Sequence, residues 1–150
     1  MSQTPVNSSA VAGVVLSTIG HTTRMLLLKR TKDGFWGHAS GKLENNETAW
    51  QAILREIREE TSLEIEALYA ADYIESFYDI PANTLMLVPA FVAIAQQNAT
   101  PRLNDENTEY RWCSREEAKA IVPFPNQQAL YEHVWTHFVL NQPSALLKIV

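Results

Sequence analysis

The run Ala49–Thr61 contains neither glycine nor proline, and Thr48 precedes it with Gln51 three residues further on. Threonine at the N-cap with glutamine at N3 is a capping box, so the run reads as a helix with a defined start. An α-helix turns about 100° per residue, which sorts its side chains by face. With Ala49 at about 0°, Trp50, Ile53, Leu54 and Ile57 span about 40° to 140° and form an apolar stripe. Glu56, Glu59 and Glu60 share an arc of about 100° beside that stripe, and Ala49 and Ala52 leave room on the same side. The stripe needs an apolar layer to cover it.

The rest of the chain supplies strands. Val11–Ile19 is apolar and β-branched, and Arg24–Arg30 follows after the turn "GHTT". The segment "FWGHASGKLENNE" reads as a loop with a short strand near "HASG". Ala70–Asp79 and Thr84–Ala95 read as strands joined by "IPAN", and Thr108–Ser114 alternates as another. Pro89 cannot donate to a ladder, so its strand is expected at an edge or to carry a bulge there. Ser114 with Glu117 caps a short helix over Arg115–Ile121, and Asn126 is the expected cap of a last helix over about Gln127–Asn141. Strands and helices mixed this way predict a sheet between helices.

Three carboxylates on one helical arc have two readings. A Glu/Arg-rich face is commonly just solvated, and Arg55 can pair with Glu59 at i+4. The alternative is a bound cation, which removes the repulsion among them. Oxygen-only ligands suit Mg²⁺ or Mn²⁺ better than Zn²⁺. Spacing within the helix does not decide between these readings.

Composition narrows the partners. The chain of 150 residues suits one domain spanning 1–150. Twelve basic against 17 acidic residues leave a net charge of −5, which argues against stable binding to long nucleic acid. The lone Cys113 makes no internal disulfide and reads as a buried thiol in a reducing compartment. The N-terminal "MSQTPVNSSA" lacks a basic leader, and the apolar run Leu85–Ala95 is too short to span a bilayer. A cytoplasmic protein without a membrane partner is expected.

A longer pattern favours the cation. Gly41, Glu47, Arg55, Glu56, Ile57, Glu59, Glu60 and Leu63 fall at the spacing of the Nudix box, which this stretch resembles. One position departs: Ser62 stands where the family has glycine, after the helix and in an expected left-handed conformation. The resemblance implies an α/β/α sandwich with a mixed β-sheet, and hydrolysis of a nucleoside diphosphate linked to another moiety. Carried over, Glu56, Glu59 and Glu60 are metal ligands and Glu47 supports the cluster. Arg55 orients the glutamates, and Gly41 permits a close backbone approach. Glu59, Arg55 and Glu106 are the candidate catalytic residues.

Flanking segments narrow the expectation. "DGFWGHASGKLENNET", "NDENTEYRWCS" and "PFPNQQALYEHV" resemble the dihydroneopterin triphosphate pyrophosphatase branch, also described as dATP pyrophosphohydrolases. The expected substrate is therefore a small nucleoside or pterin triphosphate. Within that analogy Glu106 is an extra ligand or base, its bland alternative an ordinary loop acid. Arg30 and Lys42 would meet phosphates or be surface charge. Phe35 and Trp36 would stack on a ring or pack in the core. His133 and His137 are spaced i, i+4, but "HVWTH" lacks the glutamate of a zinc motif, so a packing or surface role is expected. Alternatives are another Nudix substrate, such as ADP-ribose, a dinucleoside polyphosphate or an oxidised nucleotide, and a module that senses a nucleotide without cleaving it. The intact glutamates argue against the last.

Overall fold

A computed structural model describes residues 1–150. In chain order its strands are β1 (Val6–Asn7), β2 (Ala10–Ile19), β3 (Thr22–Arg30), β4 (Trp36–Gly37), β5 (Ala39–Lys42), β6 (Ile65–Asp79), β7 (Thr84–Ala95) and β8 (Asn107–Cys113). The helices are α1 (Ala49–Thr61), α2 (Arg115–Ile121) and α3 (Pro125–Val134). The last runs into a wide π turn over Trp135–Val139.

The strands form one mixed sheet. β7 lies between β6, antiparallel to it, and β2, parallel to it. β3 pairs with β2 only near their hairpin, from Leu16 opposite Met25 to Ile19 opposite Thr22. Beyond that point the two strands part. β5 takes the place beside β2, with Val11 opposite Gly41, and β4 takes the place beside β3. β8 closes the far side of β3. The fork between β2 and β3 therefore holds the segment Trp36–Lys42, and everything the site needs lies around it.

Strand side chains alternate between faces. Val11, Val15, Leu26, Leu28 and Phe91 meet Ile53 and Ile57 of α1 on one face. Val14, Leu16, Met25, Leu27 and Val92 meet Leu130, Tyr131 and Val134 of α3 on the other. This is the α/β/α sandwich that the resemblance implies. α1 sits close because Gly13 has no side chain: a Cβ there would lie 2.7 Å from Ile53 Cγ1.

Two expectations need correction. Pro89 is not on an edge strand, because β7 is paired on both sides. The bulge is on its partner: the register of β6 breaks between Ala70, opposite Phe91, and Ile74, opposite Pro89. A strand that skips in this way asks no donor of the proline. Asp72 takes φ 56° inside the bulge, and the ring of His133 meets the freed Ala71 carbonyl at 2.6 Å. The last helix begins at Pro125, not after Asn126. Proline fits the first helical position, where no amide donor is needed. The Asn126 amide instead donates to the Ser76 carbonyl at 3.3 Å.

Candidate active site

α1 begins as expected: Thr48 Oγ1 accepts from the Gln51 amide at 3.2 Å, and Gln51 Oε1 accepts from the Thr48 amide at 2.9 Å. One turn later Arg55 gathers the loop and the helix together. Its Nε and Nη2 donate to the two carboxylate oxygens of Glu47 at 2.7 and 2.9 Å, and Nη2 also donates to the Lys42 carbonyl at 2.9 Å. Nη1 donates to Glu56 at 2.7 Å and to Glu59 at 3.3 Å. A planar guanidinium matches a carboxylate in this two-pronged way. Both Glu47 oxygens are thereby taken, and the Arg55 bond holds its carboxyl below the ordinary range. Glu47 thus reaches the helix glutamates through Arg55, which also holds Glu56.

The carboxylates that do converge are Glu56, Glu60 and Glu106, each with an oxygen within 4.8 Å of the others. Glu56 and Glu60 are buried, whereas Glu59, one residue away, is half exposed and turned towards Arg55. Glu106 arrives from the loop before β8. The Arg102 amide in that loop donates to the Thr61 carbonyl at 2.8 Å and docks it on the end of α1. Burial first, then Glu106 and Glu56, pushes the Glu60 carboxyl up to about 9. Burial also raises Glu56, with Arg55 pulling the other way. Glu60 Oε2 is buried with no hydrogen-bond partner, and so is Nδ2 of the neighbouring Asn107. Unpaired buried oxygens are costly. Three oxygen ligands, one of them orphaned, fit a hard divalent cation.

Gly41, expected to permit a close backbone approach, lies within β5 and outside the left-handed region; a Cβ there would overlap the Glu56 carboxyl.

From Gly41 a cleft of about 320 Å³ runs along the fork, lined among others by Phe35, Trp36, His38, Lys42, Glu75 and Gln127. Phe35 is exposed at its mouth, edge-on to Phe124 with ring centroids 6.3 Å apart. Trp36 packs partly against the α3-side core. Lys42 is exposed and makes no ion pair, whereas Arg30 is bound by both oxygens of Asp33. On the cleft wall His38 Nε2 meets Glu75 Oε1 at 2.8 Å and Nδ1 meets the Tyr131 hydroxyl at 2.8 Å. Sequence reasoning passed over His38, Glu75 and Asn107. Their partners lie 37 to 93 residues away for His38, so no local pattern could reveal them.

A family model of the NUDIX domain matches residues 7–134. The chain therefore belongs to the Nudix hydrolases. A MutT-like protein of Streptomyces ambofaciens is 29% identical over 114 residues, covering 75% of this chain and 68% of the relative. A mouse asymmetrical bis(5'-nucleosyl)-tetraphosphatase is 27% identical over 122 residues, 77% of this chain and 81% of the relative. The dihydroneopterin triphosphate diphosphatase of Escherichia coli is 43% identical, but over 47 residues only, 31% of each chain. A solved E. coli dihydroneopterin triphosphate pyrophosphohydrolase shares the fold at TM-score 0.71 and 21% identity, covering 93% of this chain and 99% of that one. No helix is long and apolar enough to cross a membrane.

Proposed function

We propose that the chain hydrolyses a nucleoside or pterin triphosphate to the monophosphate and pyrophosphate, with Mg²⁺ or Mn²⁺ as cofactor. The observation that carries this reading is Glu60 Oε2, buried without a partner among three carboxylates, one of which, Glu56, abuts Gly41 of the cleft lining. Glu56, Glu60 and Glu106 would hold the cation, and Arg55 keeps Glu56 aimed at it. A bound divalent cation neutralises phosphate oxygens and lowers the pKa of a coordinated water. Glu59, outside the converging three and half exposed beside Arg55, would serve as the base. Lys42, free of ion pairs, meets the phosphate chain, and Phe35 covers the ring. Arg30 would reach phosphate only by leaving Asp33.

The sequence match to a dihydroneopterin triphosphate diphosphatase supports the triphosphate reading over its short stretch. A dinucleoside polyphosphate is the second reading, favoured by the mouse relative that spans more of the chain. The test is a panel of dNTPs, dihydroneopterin triphosphate, ADP-ribose and a dinucleoside tetraphosphate, with phosphate products identified. Pyrophosphate from a triphosphate at the highest kcat/KM is the expected result. A higher kcat/KM for ADP-ribose or the dinucleoside polyphosphate overturns it.

A further inference from the structure

The cleft wall carries a built polar relay. Glu75, His38 and Tyr131 come from β6, the β4–β5 connection and α3, and all three side chains are at least nine-tenths buried. Burial above all raises the Tyr131 phenol, so its proton stays on. A carboxylate oxygen only accepts, so His38 Nε2–H donates to Glu75 Oε1. In the neutral imidazole Nδ1 is then the acceptor of the Tyr131 hydroxyl. The relay ends in a carboxylate fixed from behind. Glu75 Oε2 has no partner in the protein, is not among the fully enclosed unpaired atoms, and belongs to a residue that lines the cleft. Close by in the same lining, Gln127 Oε1 accepts from the Phe124 amide at 3.3 Å, which turns Nε2 towards Gly37.

The geometry points to Glu75 as the residue that selects the ring, by accepting from adjacent ring N–H and amino groups, with Gln127 Nε2 donating to a ring carbonyl. The ring class that presents both is the 2-amino-4-oxopyrimidine edge shared by guanine and pterin. Adenine offers an unprotonated ring nitrogen where Glu75 needs a donor, and two acceptors repel. His38 and Tyr131 are positioning residues, acting through Glu75. This inference rests on the proposed triphosphate function and names its ring.

Calorimetric titration of the full chain with GMP, dihydroneopterin monophosphate, IMP and AMP tests it. Monophosphates contain no anhydride, so ring preference is read whichever bond the enzyme cuts. A failure of pyrophosphate release in the hydrolysis panel overturns the proposed function without touching this result. GMP or the pterin should bind about 10-fold or more tighter than AMP, and the tighter of the two names the ring. GMP should also exceed IMP, which lacks the 2-amino group; this comparison needs no variant. Glu75→Gln, checked for folding by circular dichroism, should bring the GMP-to-AMP ratio within about threefold. Tyr131→Phe should lower the ratio and raise KM for the preferred triphosphate more than it lowers kcat. Equal affinities across the panel, no ring binding, or a folded Glu75→Gln with the full ratio would each overturn the assignment.

Discussion

Glu59 and Glu60 are neighbours in the chain with different surroundings: one half exposed beside Arg55, the other buried between Glu56 and Glu106. Their variants should therefore separate. Glu60→Gln should abolish the rise in Tm that Mg²⁺ or Mn²⁺ produces and lower kcat/KM by at least about 10²-fold. Glu59→Gln should keep the metal-induced rise in Tm and lose kcat by a similar factor. Differential scanning with and without metal reads the first difference, and steady-state kinetics the second. The Glu60 carboxyl, pushed up to about 9 from 4.5, also fixes a sign. The folded chain holds this proton more tightly than the unfolded chain. Its contribution to stability is full below about 4.5 and fades as pH rises towards about 9. Urea titrations of metal-free protein should show that decline, and Glu60→Gln should flatten it. Two glycines make a second contrast. Gly41→Ala would push the Glu56 carboxyl aside and remove activity, whereas Gly13→Ala presses on Ile53 and should cost stability by about 1–3 kcal/mol.

α1 was legible because its determinants are local. Thr48, Gln51, the apolar stripe and the absence of glycine or proline lie within one short run, and the helix begins and ends where they say. Its exit was legible too: Ser62 stands at φ 59°, ψ 18°, and its amide caps the Arg58 carbonyl at 2.9 Å. A serine in the left-handed region is strained where glycine is not. Ser62→Gly should raise stability by about 0.5–1 kcal/mol, read as a higher urea midpoint at unchanged m. α3 was harder. Asn126 carries a capping side chain, but Pro125 before it already suits the first turn, and Asn126 had a better partner in the Ser76 carbonyl across the fold. β6 was underestimated at its start for a related reason. Its five earlier residues precede a bulge whose support comes from His133, far away in sequence.

At the scale of the molecule, the helical part of the site was readable from its period, Glu106 only through the resemblance, and the cleft wall not at all. Glu56 and Glu60 sit on one helix, so their meeting follows from helical period alone. Glu106 joins them only because the loop before β8 docks on the end of α1. The Tyr131, His38 and Glu75 relay depends on α3, the fork and β6 meeting. Cys113 shows how firmly that interior is closed. It is fully buried, and burial pushes its thiol up to about 11. It should resist a disulfide reagent at neutral pH in native protein and react in step with urea unfolding. The fork has one more consequence. Glu75 lines the cleft from β6, and Gly41, in the same lining, abuts the Glu56 carboxyl from β5; both strands are held in the hydrogen-bonded sheet, so the distance from ring site to carboxylates is set by the backbone and not by the visitor. Such a cleft behaves as a ruler. With the ring seated at one end, the cut falls at a constant distance from it. A tetraphosphate of the same ring should then release the same monophosphate, and only the inorganic fragment should grow longer.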